Sequence, residues 1–272
     1  MNIEKFFQRI CFDNSKNITC NYYTLSTLQQ NFLLHIPFEN LDMHYSESKI
    51  MISPEAAYEK LVLRQRGGFC YECNSLFYSV LEYLGFEVEL LSARMNTRGT
   101  MPSPEWGHMC IRVRINGQNY IVDVGNGQSF RTPLLENGQS ETYIPEGFFF
   151  RFGQHIEGNT LYSRSHNIGW QTRFHLSPIS YSFDHYHQMC EFWQVPNPQT
   201  HSQFTIGIYN TTANLVSSFV KEPLATLATP SGRISVTREK FTENIYGTVT
   251  ETPFDNEQEF FSCLRDKFKL VL

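Results

Sequence analysis

Apolar positions in the first 85 residues recur at helical spacing. Leu25, Leu28, Phe32 and Leu33 share one face of a segment that Thr24 or Ser26 caps and Pro37 ends. Ser53-Pro54 is a capping hydroxyl followed by proline at the first helical position, and it opens a second helix over 55–64. A third begins near Cys70, places Leu76, Phe77, Val80, Leu81 and Leu84 on one face, and stops at Gly85. Ahead of them, Glu4, Lys5 and Arg9 among apolar neighbours predict a short amphipathic helix within 1–12. Residues 1–85 therefore read as a small helical bundle.

From Phe86 the period changes to two. Segments 88–95, 108–115, 119–124, 160–164 and 170–176 read as short strands bounded by Gly, Asn and Pro, which predicts a β-barrel or sandwich over 86–195. After it come a short helix and a Pro-Asn-Pro loop over 184–198, then strands at 204–209, 224–229 and 232–238. Asp255, with Gln258 three residues on, is a capping-box start for a last helix carrying Phe260, Phe261, Leu264 and Phe268. Residues 196–272 thus form a third, α/β piece. The fold class is a multi-part α+β protein, and no repeat or long linker separates its three parts.

Composition narrows the function classes. Among 272 residues, 41% are hydrophobic and 15% aromatic, which excludes a disordered chain. The net charge of −5, without a Lys/Arg-rich tract, lacks the electrostatic footprint of a nucleic-acid partner. No basic segment precedes an apolar run at the start, and no apolar stretch reaches eighteen residues, so neither a signal peptide nor a membrane span is expected and the location is expected to be cytoplasmic. Seven scattered cysteines do not suit a secreted disulfide framework; reduced thiols are expected, one of them reactive.

The chemistry concentrates in Arg66-Gly67-Gly68-Phe69-Cys70-Tyr71-Glu72-Cys73-Asn74. Two glycines allow a tight turn that delivers Cys70 to the first turn of a helix, where unpaired N–H groups and the helix dipole favour a thiolate. The competing reading is a buried cysteine packed as a small hydrophobe. Cys70 and Cys73 also make a Cys-x-x-Cys, which raises a redox pair or half of a zinc site. The first needs a βαβ context, but the upstream segments are helical; the second needs another close pair, and none exists. No metal is expected.

A cysteine nucleophile needs a base and a group that orients it. Asn116-Gly117 is a strong hairpin turn between 108–115 and 119–123. With those two residues as the turn, partner numbers sum to 233 and Asp123 faces Cys110. His108, two positions earlier on the same face, is then diagonal to Asp123, at a Cβ separation of roughly 7–8 Å. That register lets Asp123 hold one imidazole nitrogen and leaves the other for a thiol; an odd-length loop would break it.

These residues resemble the arylamine N-acetyltransferases. The resemblance rests on the Arg66-to-Asn74 segment, on Ile36-Pro37-Phe38-Glu39-Asn40-Leu41, on Asp123-Val124-Gly125 with Gly127, and on His108 between them; the tail matches weakly, through Pro196 and Ser202-Gln203-Phe204. It implies a helical domain, a β-barrel and an α/β lid. It implies also ping-pong transfer of acetyl from acetyl-CoA, as co-substrate, to an arylamine or hydrazine nitrogen. Carried over residue by residue, Cys70 is the nucleophile, His108 the base and Asp123 the acid that orients it, while Phe38 and Phe69 line the acceptor pocket. Asn126 stands where the family commonly has an aromatic residue, which bears on acceptor choice. No phosphate-loop motif marks the CoA site. A cysteine hydrolase or transglutaminase-like enzyme would use the same triad, and a silent binding module would keep only the pocket.

Overall fold

A computed structural model describes residues 1–15, 18–46, 50–96, 107–136, 140–155, 158–181 and 222–272. Helix α1 (Ile3–Arg9) is followed by α2 (Tyr22–His35). The cap of α2 is Asn21, whose side chain accepts from the Thr24 N–H at 2.9 Å, so the helix begins before Thr24 and Ser26, which lie inside it. At the other end, Pro37 holds Ile36 extended. Next come β1 (Phe38–Glu39), α3 (Asp42–Tyr45) and α4 (Pro54–Tyr58), the last capped by Ser53 and continuing into a π turn over Glu59–Leu63. Helix α5 (Cys70–Tyr83) stops ahead of Gly85, whose φ of +90° suits glycine.

The central sheet is antiparallel. It comprises β2 (Glu87–Met95), β3 (His108–Ile115), β4 (Gln118–Val122), β5 (Leu134–Leu135), β6 (Thr142–Ile144), β7 (Phe148–His155), β8 (Gly158–Ser165) and β9 (Gln171–Tyr181). Their order is β5-β4-β3-β2-β9-β8-β7-β6, and β5 approaches β7, so the sheet curls into a nearly closed barrel. The last part pairs β1 with β10 (Leu224–Thr229), β11 (Gly232–Thr237), β12 (Lys240–Ile245) and β13 (Thr248–Pro253), in the order β1-β10-β11-β12-β13. Helix α6 (Glu257–Phe268) covers this sheet. Its cap is Asn256, which accepts from the Glu259 N–H, one position later than the Asp255–Gln258 box expected; Glu259 in turn reaches back to the Asp255 N–H. The helix and strand expected over 184–198 and 204–209, and the part boundary at 195/196, lie outside the described residues.

Strand β3 shows why the parts stay together. Met109, Ile111, Val113 and Ile115 point into the helical core against α2 and α5, whereas Cys110 points into the barrel core with Phe130, Phe152 and Phe174. Over its first half, residues 108–111, β3 is therefore buried on both faces, so the imidazole it carries is desolvated from the start.

Candidate active site

The β3–β4 register pairs Ile111 with Val122 and Ile115 with Gln118, so partner numbers sum to 233 as expected. Asn116 and Gly117 both take positive φ, 50° and 76°, the geometry that matches strand twist in a two-residue hairpin. Asp123 follows the end of β4, and its Oδ2 lies 2.8 Å from His108 Nε2. Both residues are buried, at 3% exposure for His108 and 0% for Asp123. The other ring nitrogen is left for Cys70, whose side chain hydrogen-bonds the imidazole.

Electrostatics follow from that burial. Burial alone would lower the His108 pKa, but the Asp123 charge and hydrogen bond, together with Cys70, push it up to about 10. Burial would raise Asp123; His108, the Gly125 N–H and the Asn74 side chain hold it below the usual carboxylate range instead. At neutral pH the pair is an imidazolium on a carboxylate.

Asn74 is a site residue that sequence reasoning did not single out. It lies four residues after Cys70 on the same face of α5. Its Nδ2 donates to the Met109 carbonyl at 2.7 Å and to Asp123 Oδ1 at 3.1 Å, while its Oδ1 accepts from the Val124 N–H at 3.0 Å. One amide thus ties helix, strand and loop together. The spacing from Cys70 was the available signal.

The turn that carries Cys70 is held from behind by buried charges. Glu72 accepts from the Phe69 N–H at 3.1 Å and pairs with Lys60 at 2.9 Å. Lys60 also meets Asp42 at 2.9 Å, and Arg66 bridges Asp42 at 2.8 Å and Glu39 at 3.0 Å. Burial pulls Lys60 down, yet the three surrounding carboxylates raise it above the ordinary lysine range, so it stays charged. Cys73 points away from the site: its thiol donates to the Gly68 carbonyl at 3.2 Å, and burial raises its pKa well above the ordinary thiol value. The two cysteines of the motif therefore sit in different surroundings.

Above Cys70 sits Gly125, whose missing side chain leaves room for the Cys70 backbone. Gly127, two residues on, packs on the Phe38 ring at a φ of +70°. Between them, Asn126 borders a cleft of about 290 Å³ whose walls include Phe38, Thr226, Arg233 and Ser235. Phe38 and Asn126 thus share one cleft. Phe69 does not join them; it is buried in the helical core, its ring 6.3 Å from that of Tyr71.

A family model described as N-acetyltransferase matches residues 21–272. Over 152 residues the chain is 37% identical to arylamine N-acetyltransferase 2 of Mesocricetus auratus, a stretch covering 54% of this chain and 52% of that one. The chain thus spans about half the length of that relative. To arylamine N-acetyltransferase 2 of Homo sapiens it is 29% identical over 284 residues, covering 100% of this chain and 95% of that one. The arylamine N-acetyltransferase of Salmonella typhimurium superposes with a TM-score of 0.81 at 25% identity, covering 98% of this chain and 90% of that one. The Mycobacterium marinum enzyme, solved in complex with CoA, superposes with a TM-score of 0.79 at 23% identity, covering 98% and 92%. With the three-part fold, the cysteine–histidine–aspartate chain and a family model matched from residue 21 to the last, this chain belongs to the arylamine N-acetyltransferase family.

Proposed function

We propose that the protein moves an acetyl group from acetyl-CoA to the nitrogen of an arylamine or hydrazine through a thioester on Cys70. The observation that carries this reading is the continuous buried chain from Cys70 through His108 to Asp123. In the first half-reaction the Cys70 thiolate attacks the acetyl carbonyl and the C–S bond to CoA breaks. His108 gives its proton to the departing sulfur. N–H groups of the first turn of α5, which lack intrahelical acceptors, stabilise the tetrahedral oxyanion.

Acylation also resets the base. Part of what raises His108 comes from Cys70, and that part ends when the sulfur carries an acetyl group. The imidazole, neutral once its proton has gone to CoA, accepts one from the incoming amine. The amine nitrogen attacks the thioester, Cys70 leaves as thiolate, and the thiolate–imidazolium pair is restored. Asp123, held by Asn74 and Gly125, keeps the ring in one orientation throughout. The solved Mycobacterium marinum relative with CoA is consistent with CoA as donor. All six described cysteines are free, in keeping with a cytoplasmic enzyme.

Intact-mass measurement after mixing with acetyl-CoA tests the reading. A stable acetyl adduct, absent in Cys70→Ala, present in Cys73→Ala and discharged by arylamine, is expected. Fast thioester loss without amine would establish a hydrolase, and the absence of an adduct a binding module.

A further inference from the structure

The C-terminal sheet has two faces of opposite character. Ala225, Ile234 and Val236 point to α6 and form an apolar cluster with Phe260 and Leu264. Thr226, Arg233, Ser235 and Asn244 alternate with them and face the cleft. The cleft side is thus polar where the helix side is apolar, and convergent polar groups in a cleft mark a ligand surface.

Arg233 is the charged member of that face, and it is 7% exposed. Its Nε donates to Glu146 Oε1 at 3.0 Å and one Nη to Thr226 Oγ1 at 3.1 Å; the second Nη has no partner among the described residues. Arg131 takes the other oxygen of Glu146 at 2.8 Å. Two guanidinium groups therefore share one carboxylate, leaving one buried positive charge in excess at the cleft wall among the described residues. Burial pushes the Arg233 pKa down, Glu146 opposes and Arg131 adds, leaving it at about 10, so the charge persists at neutral pH. A second donor waits on the facing loop, where Asn126 Nδ2 is buried with no hydrogen-bond partner among the described residues.

The cleft's size and position limit what the charge can recognise. At about 290 Å³ it lies at the small end of ligand sites and suits a single ring. From the Gly68 backbone to Phe38, and from Phe38 to Thr226, are two strand pairings, together about 10 Å. A one-ring amine with its substituent opposite the nitrogen has that reach. We propose that Arg233 is a specificity-determining residue that selects single-ring amines bearing an anionic substituent, a carboxylate foremost. The proposal rests on the acetyl-transfer reading above.

The test compares 4-aminobenzoate with the uncharged 4-aminobenzamide as acceptors. In Arg233→Gln the ratio of their kcat/KM values should fall at least tenfold, through KM, while Arg233→Lys keeps most of it. The rate of Cys70 acetylation by acetyl-CoA should not change. The variant leaves Glu146 paired with Arg131 and so removes the excess charge without stranding a carboxylate. An unchanged ratio overturns the proposal. So does an equal slowing of Cys70 acetylation, which would assign Arg233 to the donor's phosphates. Calorimetric binding of benzoate against benzamide to the wild-type protein reads the same site without turnover: at least tenfold tighter benzoate supports it, equal binding overturns it. That measurement stands even if Cys70 takes no acetyl group, a result that would sink the transfer reading alone.

Discussion

A methyl group added at Gly125 would stand 2.6 Å from Cys70 Cα, 2.8 Å from Asn74 Nδ2 and 3.0 Å from the Cys70 carbonyl oxygen. Ordinary contact begins at 3.4 Å, so the nearest pair must separate by at least 0.8 Å (3.4 − 2.6). Two of the three obstacles are backbone of the Cys70 turn, and the third is an amide that anchors Asp123. Overpacking of this kind costs about 1–3 kcal/mol of stability, while a ~1 Å misplacement of a reacting group costs about 100-fold in rate. Gly125→Ala should therefore fold, lose about 2 kcal/mol in denaturant titration, and acetylate Cys70 about 100-fold more slowly in quenched intact-mass assays. Gly117→Ala is the control. Its φ is +76° with nothing within 4 Å of the added carbon, so it carries about 1–2 kcal/mol of backbone strain and no change in rate. Acetylation of Gly125→Ala within threefold of wild type would refute the claim that this contact positions the sulfur.

Asp123→Asn should slow Cys70 acetylation by on the order of 10³- to 10⁴-fold, because an amide can present its NH2 to the imidazole; single-turnover mass spectrometry measures it, and near-normal acetylation would count against the triad. The His108 pKa is raised in the folded protein, so its contribution to stability is complete below 6.5 and lost as pH rises towards about 10. Thermal scans across that window should show a falling Tm that flattens in His108→Gln. Asn126→Phe should raise kcat/KM for apolar anilines over hydrazides by about three- to tenfold with Cys70 acetylation unchanged; an unmoved ratio would remove Asn126 from the acceptor wall.

The placement of the candidate site was legible because its signals are local. Gly67-Gly68 before Cys70 and the Asn116-Gly117 turn each fix a backbone path within a few residues, and the latter carries His108 and Asp123 into register. Elements without such punctuation were missed. Strand β7 reads Phe148-Phe149-Phe150 with no alternation, and β13 is exposed along its whole length, so neither shows a period of two. The hairpin between β12 and β13 turns on Tyr246-Gly247, where a tyrosine takes a φ of 49° that side chains of its kind rarely adopt. The polar face of the last sheet was hidden too, since Thr226, Arg233 and Ser235 meet Asn126 only through pairings distant in sequence.

Strand β1 is two residues long, yet it joins chain segments far apart: Phe38 pairs with Thr226 while touching Gly68 on its other side. The triad closes over a much shorter loop, from Cys70 to Asp123. Loop-closure entropy rises with length and non-local pairings form late, so a refolding chain should assemble the Cys70–His108–Asp123 cluster before the sheet that walls the cleft. Pulse-labelled hydrogen exchange would see Val113 protected before Ala225, and simultaneous protection would contradict that order. On a ribosome making about 5–20 residues per second, residues 124–224 take several seconds to appear. Through that interval the Cys70 turn, His108 and Asp123 can already meet while Phe38 lacks its partner Thr226, and completion of β1 with β10 is what closes the cleft wall.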